Sequence, residues 1–194
     1  MRTPWQRSVR AALRATGRLV FAIGCLTSAQ GTAQPPLPDY EVKAAFLYHF
    51  TQFVEWPLPN SNDPFFICIV NSSAISGSLE QLTQGKFVGS HPIRVTQVKN
   101  PGEVHACHVL FVGACSTTRL QQYLASAHDA NLLTVGEQGE FLSAGGMVAL
   151  FPQDQHIAFA LDAEAIQRAH LSASSKLLRL ARSPEEGFSA RTYR

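Results

Sequence analysis

Val42, Phe46, His49, Phe50 and Phe53 recur at three- and four-residue intervals, a period that predicts an amphipathic helix rather than a strand. Asp39 is placed to cap this helix, Glu41 suits the positive end of its dipole, and Trp56-Pro57 stops it. A loop rich in proline and asparagine follows. Phe65–Val70 is then continuously apolar, which predicts a strand covered on both faces. Asn71-Ser72-Ser73 opens a short helix carrying Ile75, Leu79 and Leu82, and Gly85-Lys86 turns the chain into Phe87-Val88. Residues 93–98 alternate, so one face of that strand is expected to meet solvent. Residues 105–113 read as the second strongly apolar strand. Ser116 caps a helix with Leu120, Tyr123, Leu124 and Ala127 on its stripe, and residues 132–135 form another strand. Gly145-Gly146 leads into strand 147–150, and a four-residue Pro-Gln-Asp-Gln turn joins it to residues 156–161 as a β-hairpin. Asp162 caps a last helical region that breaks near Leu171-Ser172 and resumes through Leu177, Leu178 and Leu180.

Strands alternating with helices predict one α/β domain over residues 39–182, a mixed sheet flanked by helices, with a C-terminal β-hairpin and helices. Residues 34–38 read as a proline-rich linker and residues 183–194 as a tail without order. Charge changes the picture at the N-terminus. Five arginines lie in the first eighteen residues, and no acid precedes Asp39. With Leu19 to Leu26 as a short apolar core and small residues after it, residues 1–33 read as an export signal cleaved after Ala33. The apolar core is too short to span a membrane as a helix. A lipidated Cys25 is the minor alternative, since Ala22-Ile-Gly-Cys25 partly matches a lipobox. Removing the leader leaves 11 basic residues against 14 acidic ones, a net charge of −3, so the overall pI gives no support for nucleic-acid binding.

Candidate chemistry is sparse. An exported chain keeping Cys68, Cys107 and Cys115 is expected to form one disulfide and leave one thiol over. Cys68 with Cys107 is the preferred pairing, because each lies in or just before an apolar strand; Cys68 with Cys115, or no bridge, stays open. Cys115 precedes a helix, where a thiol can become reactive. His105, Cys107 and His108 are metal-ligand types without a zinc spacing, so no metal is expected. No nucleophile elbow, His-Glu-x-x-His, P-loop or dinucleotide fingerprint occurs, and the expectation is a non-enzyme without a cofactor. Most aromatic rings of the first helix are assigned to the core. Tyr40, Phe46, Phe50, Phe53 and Trp56 are the candidates for partner contact.

Several stretches together resemble the YfiR-like family of exported bacterial proteins. They are Tyr40 to Phe50, Phe53-Val-Glu-Trp-Pro57, Phe66-Ile-Cys-Ile69, His91-Pro-Ile93, Cys107-His-Val-Leu-Phe111, Gly145-Gly-Met147 and Ser174 to Leu178. The resemblance implies a periplasmic α/β domain that forms a homodimer. It also implies repression of an inner-membrane signalling protein, a diguanylate cyclase or related sensor, through that protein's periplasmic region. Cyclic di-GMP output and biofilm formation would fall as a result. By position, Cys68 and Cys107 match the family's strand-to-strand bridge. A second cysteine pair of some members has no counterpart after Cys115, which leaves redox switching without support. Two other classes of function compete: a periplasmic small-ligand-binding protein with a pocket at the strand ends, and thiol redox sensing at Cys115.

Overall fold

A parallel strand between two others must be apolar on both faces, and three segments of this chain meet that demand. In the computed structural model, which describes residues 37–59, 61–128, 130–137 and 140–183, they are β2 (Phe65–Val70), β5 (Val109–Val112) and β6 (Leu133–Gly136). The remaining strands of the main sheet are β3 (Phe87–Val88), β4 (His91–Gln97), β7 (Val148–Gln153) and β8 (His156–Leu161). Their order is β3-β4-β2-β5-β6-β7-β8. Pairing is parallel from β4 through β7 and antiparallel at both margins, giving the expected mixed sheet. The export signal, Cys25, most of the linker and residues 184–194 lie outside the described residues.

Two-residue alternation splits the core into two layers. Phe65, Ile67 and Ile69 face a cluster containing Leu47 and Phe50 of α1 (Asp39–Phe53) with Ile75 and Leu79 of α2 (Ser73–Thr83). Cys68 and Val70 face the opposite cluster, with Leu120 and Tyr123 of α3 (Thr117–Ala127). Fully burying each such side chain contributes roughly 1.5–3 kcal/mol before its ordering entropy is charged. The chain leaves β2 through α2 on one layer and β5 through α3 on the other. β2 and β5 are neighbours, so the carboxyl ends of these two strands form the switch point of a doubly wound sheet. Gly113 sits there because a Cβ would meet the carbonyl oxygens of Val70 and Asn71 at 3.0 Å.

Several elements depart from expectation at their ends. Asp39 does not cap α1: Pro38 occupies that position and its carbonyl accepts from the Glu41 and Val42 amides, leaving Asp39 and Glu41 in the first turn. The helix ends at Phe53, before Trp56-Pro57, because β1 (Val54–Glu55) is pulled straight by antiparallel pairing with β9 (Ser172–Ala173). Residues 105–113 are not one strand. A 3-10 helix over Pro101–Ala106, started by proline, holds His105, and strand begins only at Val109. The hairpin turn is two residues, not four, with Asp154 and Gln155 at φ 48° and 64°. Pro152 still pairs with Ile157, since its missing N–H faces the side where β6 pairing has already ended at Ala149. The last helical region does break as expected, into α4 (Ala163–Arg168), β9 and α5 (Ser175–Leu180). Asp162 and Ser174 cap the two helices by accepting from the Ala165 and Leu177 amides at 2.9 and 3.2 Å.

Candidate functional site

The two cysteines nearest each other in the fold are Cys68, in the middle of β2, and Cys107, just after the 3-10 helix. They form a disulfide with Cα atoms 5.8 Å apart. Both sulfurs belong to the α3-side layer, and the residues are buried. The bridge therefore ties the end of the 3-10 helix to β2, not one full strand to another. Cys115 is half-buried just before α3 and packs against the same layer, outside the disulfide.

α1 distributes the five aromatic contact candidates unequally. Tyr40 is 40% exposed at its first turn. Phe46 and Phe50 both meet the ring of Phe159 edge-on, with centroids 5.7 and 5.4 Å away. Phe50 is only 1% exposed, so its place among the contact candidates is corrected: its ring is core, and only Phe46 keeps an accessible flank. Phe53 is half-buried under the Lys176 ammonium at 5.1 Å. Leu37, Phe87, Leu178 and Leu180 are exposed apolar side chains that pattern reading passed over. For Phe87 the signal was present: it lies in a two-residue strand between glycines, and such a strand has room only at a sheet edge.

Trp56 is half-buried and leads to a second cluster. Its indole packs edge-on against Phe65, centroids 4.9 Å apart, and Phe65 in turn stacks on the His108 imidazole at 4.5 Å. The indole Nε1–H donates to the His108 carbonyl at 3.1 Å. His108 and Phe66 are bonded twice: the His108 amide donates to the Phe66 carbonyl at 2.9 Å, and the Phe66 amide donates to His108 Nδ1 at 3.1 Å. The side chain thus extends the β2–β5 ladder one step past its end at Ile67 and Val109. Nδ1 must be unprotonated to accept, so the ring is neutral with its proton on Nε2. Burial holds the His108 pKa below its ordinary 6.5, and the nearby His91 pushes in the same direction. His91 is itself buried, with Nδ1 2.8 Å from the Asp63 carbonyl. Sequence reasoning considered His108 only as a metal ligand; a polar ring immediately before a buried strand was the available signal.

A crevice of about 450 Å³ opens beyond the carboxyl ends of β2 and β4. Asn71, Ser72, Ser73 and Gln97 line it together with two cationic residues, Lys99 and Arg119. Arg119 reaches in from α3, and its Nη2 donates to the Lys99 carbonyl at 2.6 Å. Neighbouring Glu103 is acidified chiefly by a hydrogen bond from Asn100, and then by the Lys99 amide. Among the described residues no group of three or more His, Cys, Asp or Glu is arranged to hold a metal.

These features define a disulfide-stapled, doubly wound α/β domain whose distinctive side chains serve packing, a polar crevice and an aromatic corner. A family model described as YfiR/HmsC-like matches residues 40–182, and the chain belongs to that family. No curated protein matches it. Among solved structures it is similar to a conserved domain protein from Vibrio cholerae O1 biovar El Tor, with 12% identity and a TM-score of 0.47. That match covers 76% of this chain and 60% of the other, so the chain spans about three-fifths of that protein's length. Among the described residues no helix is long and apolar enough to cross a membrane.

Proposed function

We propose that this protein is an exported, non-catalytic regulator that binds the periplasmic region of a membrane signalling protein and holds it inactive. A diguanylate cyclase is the preferred partner. The observation that carries this reading is the family match, which runs across the whole folded unit from Tyr40 to Arg182. Repression by occupancy requires that the regulator bind the inactive state of its partner more tightly than the active one. Exposed apolar side chains supply the contact chemistry, with Tyr40 at the start of α1 as the first candidate and the accessible parts of Phe46, Phe53 and Trp56 after it. The active unit is read as a homodimer, and light scattering of the purified protein tests that. To test the partner, a photo-crosslinking residue is placed at Tyr40 and the membrane adducts are identified. Recovery of a cyclase, together with a rise in cyclic di-GMP when the protein is deleted, supports the reading. Adducts confined to outer-membrane or soluble proteins, with cyclic di-GMP unchanged, overturn it.

The strand-end crevice favours a second reading that is compatible with the first: a small anionic ligand bound beyond the carboxyl ends of β2 and β4, beside the β2–β5 switch point. Lys99 and Arg119 set the sign of that ligand, and the Ser72 and Ser73 hydroxyls offer hydrogen bonds. Thermal shifts across a panel of carboxylated and phosphorylated metabolites test it. A shift that disappears in Lys99→Ala supports the reading, and a flat panel removes it.

A further inference from the structure

His108 joins three elements through one residue. Its carbonyl anchors Trp56 and also accepts the Leu133 amide at 2.9 Å, its Nδ1 accepts from β2, and its ring stacks on Phe65. We propose that His108 is a proton-operated latch on the Trp56 corner, closed while the imidazole is neutral and released when a proton from solvent occupies Nδ1. The protonated nitrogen becomes a donor facing the donor amide of Phe66. Ring and amide cannot both stay in place. The stack from His108 through Phe65 to Trp56 is then disturbed at its first member.

Charged neighbours do not compensate the added proton. β2 presents Phe65 and Phe66 to this ring, the chain after β1 presents Trp56, and β6 presents Leu133, none of them ionisable near neutral pH. β4 contributes His91, whose charge repels. The latch goes beyond partner binding, and its test reads the corner itself, so failure of either idea leaves the other standing.

The chain has two tryptophans, so in the full-length Trp5→Phe protein the indole fluorescence comes from Trp56 alone. Emission is followed from about pH 8 to about pH 5, with far-UV circular dichroism on the same samples. The expected result is a one-proton change in Trp56 emission, centred below the ordinary histidine value of 6.5, with circular dichroism unchanged. His108→Asn puts an amide oxygen where Nδ1 stands and does not titrate in this range, so its emission stays flat. His91→Asn keeps the transition and moves it to higher pH. An unchanged transition in His108→Asn, or an emission change that merely tracks loss of secondary structure, overturns the proposal. Should His108→Asn fail to fold, exchange of the Phe66 amide in the unsubstituted protein decides. Its protection, corrected for intrinsic pH dependence, falls at least about tenfold over the same range if the latch opens and stays constant if it does not.

Discussion

Tyr40 and Phe50 lie on the same helix, yet truncating them has very different consequences. Phe50 is closed in by Phe46 and Phe159, so Phe50→Ala leaves a cavity and costs about 3–5 kcal/mol. Tyr40→Ala removes a ring that is 40% exposed and changes stability by no more than about 0.5 kcal/mol. Urea unfolding of both variants checks the pair, and equal losses would mean that the first turn of α1 is packed more tightly than its exposure indicates. His108 gives stability a pH dependence of predictable sign. Its native proton affinity is lowered, so below the ordinary 6.5 the unfolded chain binds a proton that the folded chain refuses. Its contribution to stability is therefore complete above pH 6.5 and is lost as pH falls toward the depressed native value. Comparing the denaturant midpoints of the unsubstituted protein and His108→Asn between about pH 7.5 and pH 5.5 isolates this contribution. The gap between the two midpoints narrows on acidification, and a gap that widens would reverse the sign.

At the scale of elements, the chain announced its types more clearly than its ends. β2, α2, α3 and the hairpin follow from apolar periodicity and turn residues, because those signals are local. The 3-10 helix at Pro101–Ala106 was hidden because the apolar pattern of residues 105–113 continues across it. β1 and β9 are two residues each, and neither has meaning until the chain folds and sets them side by side. The division of aromatic rings on α1 into core and surface was only partly legible, for the period gives a stripe and not its width. Pairing of Cys68 with Cys107 was readable from strand order, but which element the bridge would restrain was not. That element is the 3-10 helix, and the closed loop spans a sequence separation of 39. Replacing both cysteines by serine is expected to cost about 4 kcal/mol in the loop-entropy model, with the loss entering mainly through the unfolded chain. Thermal melting with and without reductant checks it. A reduced protein that melts at the same temperature would show that the bridge removes little entropy from the unfolded chain, against the loop-entropy estimate.

For the whole molecule, the distribution of charge bears on how a partner would be held. Residues 34–194 carry a net charge of −3, with acids and bases interspersed along the chain, so association gains little from long-range electrostatic steering. Its apolar side chains in contact with water include Leu37, Tyr40 and Phe87, and a groove of about 390 Å³ between α1 and α2 is lined by Leu37, Ala44, Ala45 and Leu82. Burial of such surface is insensitive to moderate salt, whereas exposed ion pairs weaken as the Debye length shrinks from about 10 Å at 0.1 M to about 3 Å at 1 M. Association driven by this surface should therefore change by less than about threefold between 0.1 M and 0.5 M sodium chloride, and should show a negative heat-capacity change. Both quantities come from calorimetric titration against the isolated periplasmic region of the partner. An affinity that collapses over that range would move the contact to charged elements such as Lys99 and Arg119 at the strand-end crevice. Phe87→Asp sharpens the distinction. It adds a charge to a two-residue strand with little packing at stake, so it weakens an apolar interface on that edge by tenfold or more, about 1.4 kcal/mol, while leaving the melting temperature almost unchanged.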